Sequence, residues 1–423
     1  MTTTVVVFAG VVVIGLGLYL CSPSFVVMLA LPASFLVFRV GGSGGGNNLS
    51  ISDLVLVVAA VAALPLMHWS GARELKKLLV LLAIYQATTL FSVVDHANRY
   101  DIVEWFHQLV LVGGSAVVGY VIFERGRAHL ALASFLAIAA GLSAFTTVEF
   151  AAHGGHPLAS LPLGFQKNPL GILFAAAVLI AQFKPGWSGL QGRWVQVAKY
   201  TCLVGVISVQ SRQSMIALVV VVLVIYLRRR GLSKRPKLLI ASLVPVGIVA
   251  YVTTRGQETD GSNFNSVAVR ETWLHQSLTL WQRFPVFGVG ERFWYTGIYG
   301  INIQPPNAEV SMLATGGVVG LLGFLVLVLG ALYLLWKLPA EAGTMALAVL
   351  LAHVVEGQFD IFWVSPIGSM PWIIVGMGLA AAAAMTHLEP DDDGTPSAPS
   401  PPDAAAGRRV RGVVDRPRPS RQG

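Results

Sequence analysis

Long apolar runs recur along most of this chain, and they restrict its fold more than any other feature of the sequence. A helix needs about 20 apolar residues to cross the roughly 30 Å of hydrocarbon in a bilayer. Because backbone polar groups must be satisfied inside lipid, the runs predict an all-α polytopic transmembrane bundle of about 12–13 spans. The runs lie at 4–20, 24–40, 52–67, 78–94, 104–123, 128–148, 169–183, 194–210, 213–228, 238–253, 308–336, 343–361 and 369–386.

The first two runs are short and are separated only by Ser22, Pro23 and Ser24, so a re-entrant hairpin is an alternative to two spans. The first run has no basic segment before it and no small-residue cleavage site, which indicates a retained anchor rather than a removed signal peptide.

The composition indicates a lipid environment and gives no sign of a metal or redox site. Of 423 residues, 55% are hydrophobic and 12% are charged, which is more apolar surface than one or two soluble cores can bury. The cysteines Cys21 and Cys202 both lie in apolar runs, at a spacing typical of neither a disulfide framework nor a metal site. We therefore predict no metal and no other cofactor.

The distribution of the 29 Lys and Arg residues predicts the orientation of the bundle. They are scattered among the apolar runs, so the net charge of +8 does not indicate nucleic-acid binding. One alternating set of connections, with the C-terminal segment, holds 21 of them and the other set holds 8. Since Lys and Arg near span ends are retained in the cytoplasm, the first set is assigned to the inside.

The apolar runs end at residue 386, which divides the chain into a transmembrane domain, residues 1–386, and a tail, residues 387–423. The tail is rich in Pro, Asp, Ala and Arg and poor in large apolar residues, which predicts a disordered cytoplasmic segment. The longest connection, 254–306, is then a large outer loop. Four of the eight outward Lys and Arg residues lie in it: Arg255, Arg270, Arg283 and Arg292.

Two outward arginines stand out as candidates for binding an anion. Arg270 begins a segment whose apolar residues recur at near-helical spacing, which predicts an amphipathic helix along the membrane surface. Arg212 lies in a tight turn, Ser-Val-Gln-Ser-Arg-Gln-Ser, between two apolar runs. A guanidinium matches phosphate oxygens, so a phosphate or pyrophosphate site is favoured. The alternatives are solvation or headgroup pairing for Arg270 and snorkelling for Arg212.

Ionisable residues near the end of a later span form a second candidate group. His353, Glu356 and Asp360 lie at offsets of three and seven, which predicts one helical face. Glycan binding, or pairing with an arginine, is favoured over a metal site, because nothing else supplies paired ligands. His275 is interpreted as a surface residue of the loop helix, with a role as base as the alternative.

Five short motifs follow one another between about residues 160 and 380. One of them contains the glycine pair Gly317 and Gly320, and such a pair alone in a membrane helix is more typical of close packing than of a functional site. Together, however, the five resemble the O-antigen ligase and O-antigen polymerase superfamily of bacterial envelope glycosyltransferases, whose helical fold is GT-C-like. The motifs are Phe165 to Gly171; Ser211-Arg212; Arg270 with Trp273; the turn Phe284 to Gly290; and Asn307 followed by Gly317 and Gly320.

The resemblance implies an inverting, metal-independent glycosyl transfer on the outer side of the bacterial cytoplasmic membrane. The donor would be a polyprenyl-pyrophosphate-linked glycan, and the acceptor a hydroxyl of a glycan or glycolipid. Arg212 and Arg270 would stabilise the pyrophosphate, and Arg283 and Arg292 are further candidates to bind it. The remaining substrate-binding candidates are Asn168, Asn307, His353, Glu356 and Asp360.

The sequence departs from the family pattern at one position that matters for mechanism. The histidine of the family motif is here Pro306, and the nearest ionisable residue is Glu309. A carboxylate can act as a general base where it is suitably placed, so Glu309 is the predicted base, with a structural pairing to an arginine as the alternative. A secondary transporter or lipid-linked-glycan flippase and a non-catalytic assembly scaffold remain the rival functions.

Overall fold

The computed structural model describes residues 16–38, 49–96, 98–155, 165–228, 266–301, 304–363 and 367–386, with single positions at 10, 13, 14 and 161. Most of the predicted span 4–20, the whole span 238–253, the start of the 254–306 loop and the tail from 387 lie outside the described residues.

The part of the chain that the structure describes forms thirteen α-helices and no β-strand, so the all-α prediction is confirmed. A π-helical turn, Val110–Gly114, joins α4 to α5. The helices are α1 (Pro23–Met28), α2 (Ile51–Ala63), α3 (Arg73–Asp95), α4 (Arg99–Leu109), α5 (Ser115–Glu124), α6 (Ala128–Ala152), α7 (Lys167–Phe183), α8 (Arg193–Ser208), α9 (Arg212–Arg228), α10 (Ser266–Arg283), α11 (Ala308–Lys337), α12 (Ala340–Glu356) and α13 (Met370–Thr386).

Four of these helical segments are long and apolar enough to cross a membrane: Arg73–Asp95, Arg99–Glu124, Ala128–Ala152 and Ala308–Lys337. Shorter apolar helices lie at Ile51–Leu66, Lys167–Phe183, Arg212–Tyr226 and Met370–Thr386. The described helices therefore form a membrane-embedded bundle, as the apolar runs predicted.

Two predicted spans differ from the observed helices. A continuous helix over 24–40 is wrong, because α1 has only six residues and is followed by a 3₁₀ turn at Pro32–Phe35. Pro32 lacks an N–H donor and its ring clashes with the preceding helical turn, so the chain breaks there. The predicted span 343–361 ends early, since α12 stops at Glu356.

Glycines allow the longest helices to pack closely. A Cβ on Gly323 of α11 would overlap Thr88 of α3, and one on Gly330 would lie 2.7 Å from a methyl group of Leu81. A Cβ on Gly119 of α5 would overlap the Ile373 carbonyl of α13. Small residues at helix interfaces are how membrane helices gain packing contacts without a hydrophobic driving force.

Side-chain contacts define two ends of the bundle. At one end, which we call the basic end, Arg228 donates hydrogen bonds to the carbonyls of Leu335, Trp336 and Leu338. At the other, which we call the motif end, α2, α4, α7, α9 and α11 begin, while α3, α8 and α12 finish. The short sequence motifs meet at the motif end.

Candidate functional site

The turn from Pro285 to Gly290 is inserted into a break in α11. The N–H groups of Val318 and Val319 donate to the carbonyls of Pro285 and Val286, at 2.9 and 3.2 Å. Ala314 and Thr315 lie four residues before Val318 and Val319, so their carbonyls would be the helical partners of those N–H groups. They accept instead from the N–H groups of Val289 and Gly290, each at 3.0 Å. The turn thus takes over helical hydrogen bonds and fixes the loop to α11.

Glycine is required at both sides of this junction. Gly317 has φ 62° and ψ −161°, a conformation open essentially to glycine alone. A Cβ there would overlap the Val286 carbonyl, and a Cβ on Gly288 (φ 71°) would overlap Thr315. Gly320 is different, because a Cβ there would meet nothing closer than 3.9 Å. The first glycine of the pair therefore makes the junction, while the second has room for a side chain.

Three cationic side chains converge near one carboxylate at the motif end, and we call this group the cationic cluster: Lys167, Arg212, Arg270 and Asp360. The charges of Arg212 and Arg270 both act on the Lys167 ammonium, which Asp360 attracts. Arg270 also acts on Arg212. Lys167 is exposed, and both arginines are partly exposed. An accessible concentration of positive charge is suited to a polyanionic ligand.

Two helix N-termini add to the positive potential of the cationic cluster. Lys167 and Arg212 are the first residues of α7 and α9, where unpaired N–H groups carry a partial positive charge. The two termini lie close together: a Cβ on Gly171 of α7 would overlap Ser211, the residue before α9. Ser211 Oγ lies 2.9 Å from Ser214 Oγ across the first turn of α9.

Asp360 organises the polar side chains next to the cations. Asn168 Nδ2 donates to Asp360 Oδ2 at 2.6 Å, and Gln213 Nε2 donates to the same oxygen at 3.2 Å. The expectation that Asp360 shares a helical face with His353 and Glu356 is wrong, because α12 ends at Glu356 and Asp360 lies in the turn that follows. The chain turns there since Gly357 permits the close approach of Phe362.

Glu356 and His353 are both buried at the end of α12. Glu356 shares a hydrogen bond with Ser214 of α9, next to the cationic cluster, and its Oε1 has no hydrogen-bond partner within the described residues. The His353 ring packs 4.2 Å from the Phe362 ring, and neither ring nitrogen finds a partner there. Glu356 thus lies near Ser214 and Asp360, whereas His353 faces an apolar neighbour.

Asn307 and Glu309 join the start of α11 to the turn after α12. Asn307 caps α11, with its Oδ1 accepting from the Val310 N–H at 2.9 Å and its Nδ2 donating to the Gln358 carbonyl at 3.1 Å. Gln358 Nε2 donates to Glu309 Oε1 at 2.9 Å. Glu309 Oε2 has no hydrogen-bond partner among the residues described. Both residues are therefore bonded to Gln358, which precedes Asp360 by two residues in the chain.

A second charged group at the motif end is buried, and we call it the acidic network: Asp53, Asp101, Glu104, His107, Glu291 and Arg292. Arg292 forms an ion pair with Glu104, and its Nη2 lies 3.3 Å from His107 Nδ1. His107 Nε2 lies 3.1 Å from Asp53 Oδ1. Arg292, a candidate from the sequence to bind substrate, therefore pairs with a buried carboxylate of α4, Glu104.

Glu291 is a further buried carboxylate of the acidic network and lies in the loop outside the spans. Burial, together with the charges of Glu104 and Asp101, raises the pKa of Glu291 to about 8. A hydrogen bond from Gln108 and the charge of Arg292 act in the opposite direction. Its Oε1 is without a hydrogen-bond partner in the described structure. Glu291 is therefore mostly protonated at pH 7.

The remaining candidates from the loop lie on the surface. Arg283, the last residue of α10, and His275 are both exposed. The acidic network was missed in the sequence, although the spacing of Asp101, Glu104 and Gln108 along one apolar span was a signal. No group of three or more His, Cys, Asp or Glu residues in the described ranges is arranged to hold a metal ion.

A membrane-embedded helical bundle with a cationic cluster at one end defines the broad class of this protein. Residues 197–326 match the family model described as O-antigen ligase, which covers Arg212, α10, the 285–290 turn and the start of α11. This match confirms the resemblance to the O-antigen ligase and polymerase superfamily and supports a membrane glycosyltransferase family of the O-antigen ligase type. No curated protein matched the chain.

Proposed function

We propose that the protein transfers a glycan from a polyprenyl-pyrophosphate carrier to a hydroxyl acceptor at the motif end of the bundle, on the outer side of the cytoplasmic membrane. The observation that carries the proposal is the convergence of Lys167, Arg212 and Arg270 at the N-termini of α7 and α9. Pyrophosphate is the part of such a donor that needs positive charge. The family match supports lipid-linked glycan and polysaccharide partners.

In the proposed step, the acceptor oxygen bonds to the anomeric carbon while the bond from that carbon to the pyrophosphate oxygen breaks. Negative charge then develops on the departing polyprenyl pyrophosphate, where preplaced cations and helix N-termini are most effective. Arg212 and Arg270 supply this charge without a metal ion. Asn168 and Gln213, both held by Asp360, would orient the sugar or the phosphates.

The acceptor proton needs a base, and Glu309 is our proposed one. Its Oε1 accepts a hydrogen bond from Gln358, while Oε2 is buried and makes no hydrogen bond to the described residues, so an acceptor hydroxyl that enters there would be its partner. The hydrogen bond from Gln358 also connects Glu309 to the turn that contains Asp360. Pro306, which replaces the family histidine, is buried and has no proton acceptor on its side chain.

The test is a transfer assay with purified full-length protein, polyprenyl-pyrophosphate-linked glycan, candidate acceptors and a divalent-metal chelator. We expect a glycosylated acceptor and free polyprenyl pyrophosphate in equal amounts. If carrier-linked glycan instead crosses the bilayer of a vesicle with its pyrophosphate bond intact, the protein is a flippase. If neither product nor transport is detected with any acceptor, the transferase proposal fails.

Arginines of one helix provide a matched pair for this assay. Arg270→Ala should lower kcat by roughly 100-fold, the usual cost of removing one donor that stabilises developing charge. Arg283→Ala removes the same charge from the exposed end of α10 and should leave kcat within about twofold. Equal losses in the two variants would mean that the loop contributes only general positive charge.

A further inference from the structure

A groove of about 1040 Å³ opens at the basic end, between α3, α11 and the last turn of α13. It lies at the opposite end of the bundle from the cationic cluster, because it is lined by the first residues of α3 and the last residues of α11. The proposed transfer reaction makes no use of it. Its walls and its mouth differ in chemistry, and this difference indicates what it binds.

The walls of the groove are apolar. Leu81 of α3 packs against Gly330 of α11, and both residues line the groove. Next to this contact, Val80 and Tyr333 line the groove and remain 59% and 64% exposed. Ala383 of α13 forms the third wall. An apolar channel beside membrane-spanning helices is suited to an acyl chain.

The mouth of the groove is strongly cationic, with four cations against one carboxylate: Arg73, Lys76, Lys77, Lys337 and Glu74. Lys77 is paired with Glu74, at 2.6 Å between Nζ and Oε1. Lys337 Nζ lies 5.4 Å from the centre of the Tyr333 ring. Arg73 and Lys76 are exposed and form no ion pair with any residue in the described ranges. Two cations therefore remain for a ligand phosphate.

We propose that this groove binds one anionic phosphoglyceride of the membrane. Its phosphate would contact Arg73 and Lys76, with Lys337 closing the other side, and an acyl chain would lie along Val80, Leu81 and Ala383. Basic pockets between helices at the cytoplasmic face are sites for anionic headgroups. The net positive charge of the mouth selects an anionic lipid over a zwitterionic one. The site is independent of the glycosyl transfer proposed above.

The experiment measures lipid retention by the purified full-length protein, using native mass spectrometry with phosphatidylglycerol and phosphatidylcholine. We expect the protein to retain phosphatidylglycerol in preference to phosphatidylcholine. Arg73→Gln/Lys76→Gln should weaken this binding roughly thirtyfold, since each cation near an anionic surface contributes about 1 kcal/mol. Lys184→Gln/Arg193→Gln is the matched control, because it removes two cations from the same end outside the groove and should change binding less than twofold.

A second variant tests the apolar part of the groove. Ala383→Trp fills the space for an acyl chain while every cation at the mouth is kept, and it should also reduce the retention of phosphatidylglycerol. The proposal is overturned if both charge variants lose lipid equally, if neither loses it, or if Ala383→Trp binds as the parent does. Displacement of phosphatidylglycerol by an equal concentration of polyprenyl phosphate would overturn it in favour of a carrier site.

Discussion

The cationic cluster and the acidic network lie at the same end of the bundle and use the same kinds of side chain, yet they differ in burial. Glu104 and Arg292 of the network are 4% and 5% exposed, whereas Lys167 of the cluster is exposed and Arg212 is partly so. A buried charge must be compensated by the protein itself. An accessible cation can leave that compensation to a ligand.

The two groups also differ in how the charges around their cations are balanced. In the acidic network, Arg292 and His107 lie among four carboxylates contributed by α2, α4 and the loop. In the cationic cluster, Lys167 experiences two further cations and one carboxylate. An arginine near the site is therefore not enough to indicate phosphate binding. We therefore propose that Arg270 and Arg212 bind the donor and that Arg292 attaches the loop.

Removing Arg292 should have the largest effect on stability. We expect Arg292→Met to destabilise the protein by about 3–5 kcal/mol, because the buried Glu104 loses the arginine of its ion pair and keeps only His107 beside it. Arg292→Met/Glu104→Gln should recover part of the loss, since the uncompensated charge is removed. Thermal unfolding in detergent measures both variants, with the transfer assay run on the folded fraction.

One result for Arg292 would contradict its assignment to the acidic network as a structural residue. If Arg292→Met unfolds as the parent does but loses transfer activity as Arg270→Ala does, then Arg292 belongs with the donor-binding residues. The assignment of the network to structure would then be incorrect.

The junction that fixes Glu291 and Arg292 to α11 should be the next most sensitive feature. Gly317→Ala is expected to cost at least about 2 kcal/mol, because alanine is strained at φ 62° and its Cβ overlaps the Val286 carbonyl. Gly320→Ala is the control, with 3.9 Å to its nearest neighbour, and should be close to neutral. Equal unfolding midpoints for the two variants would show that the turn is not held by this exchange of hydrogen bonds.

Most of the fold could be predicted from local sequence, and the difference between the two charged groups shows what could not. Apolar runs report helices directly, so α7 and α9 lie within two residues of their predicted starts. The acidic network depends on Asp53, Glu104 and Arg292, which are far apart in the chain and meet only through helix packing. No local pattern contains that pairing.

The candidate site was predicted in part for the same reason. Arg212 and Arg270 were identified from motifs and orientation, and the structure brings them near Lys167. The role of Gly317 was not foreseen, because a glycine pair in an apolar helix predicts packing and not insertion of a loop into the helix. The position of Asp360 was wrong, since where α12 ends depends on contacts of Gly357 and Phe362.

Within the cationic cluster, Asp360 should affect turnover less than the arginines do. Asp360→Ala removes the acceptor that holds Asn168 and Gln213, and we expect kcat to fall about tenfold, comparable to the loss of a hydrogen bond to a charged group. Asp360→Asn keeps one acceptor oxygen and should fall about threefold. The measurement is steady-state transfer with varied donor. An unchanged kcat in Asp360→Ala would show that these amides do not position the substrate.

The smallest effect tests the raised pKa of Glu291 in the acidic network. The folded protein keeps a proton on Glu291 up to a pKa of about 8, whereas the unfolded chain releases it near pH 4. The folded state therefore binds more protons in this range, and its stability falls as pH rises, by about 1 kcal/mol between pH 7 and pH 8. Glu291→Gln cannot ionise and should lose this part of the pH dependence. Glu271→Gln, an exposed carboxylate on α10, should keep it, and identical pH dependence of unfolding in the parent and Glu291→Gln would contradict a neutral Glu291.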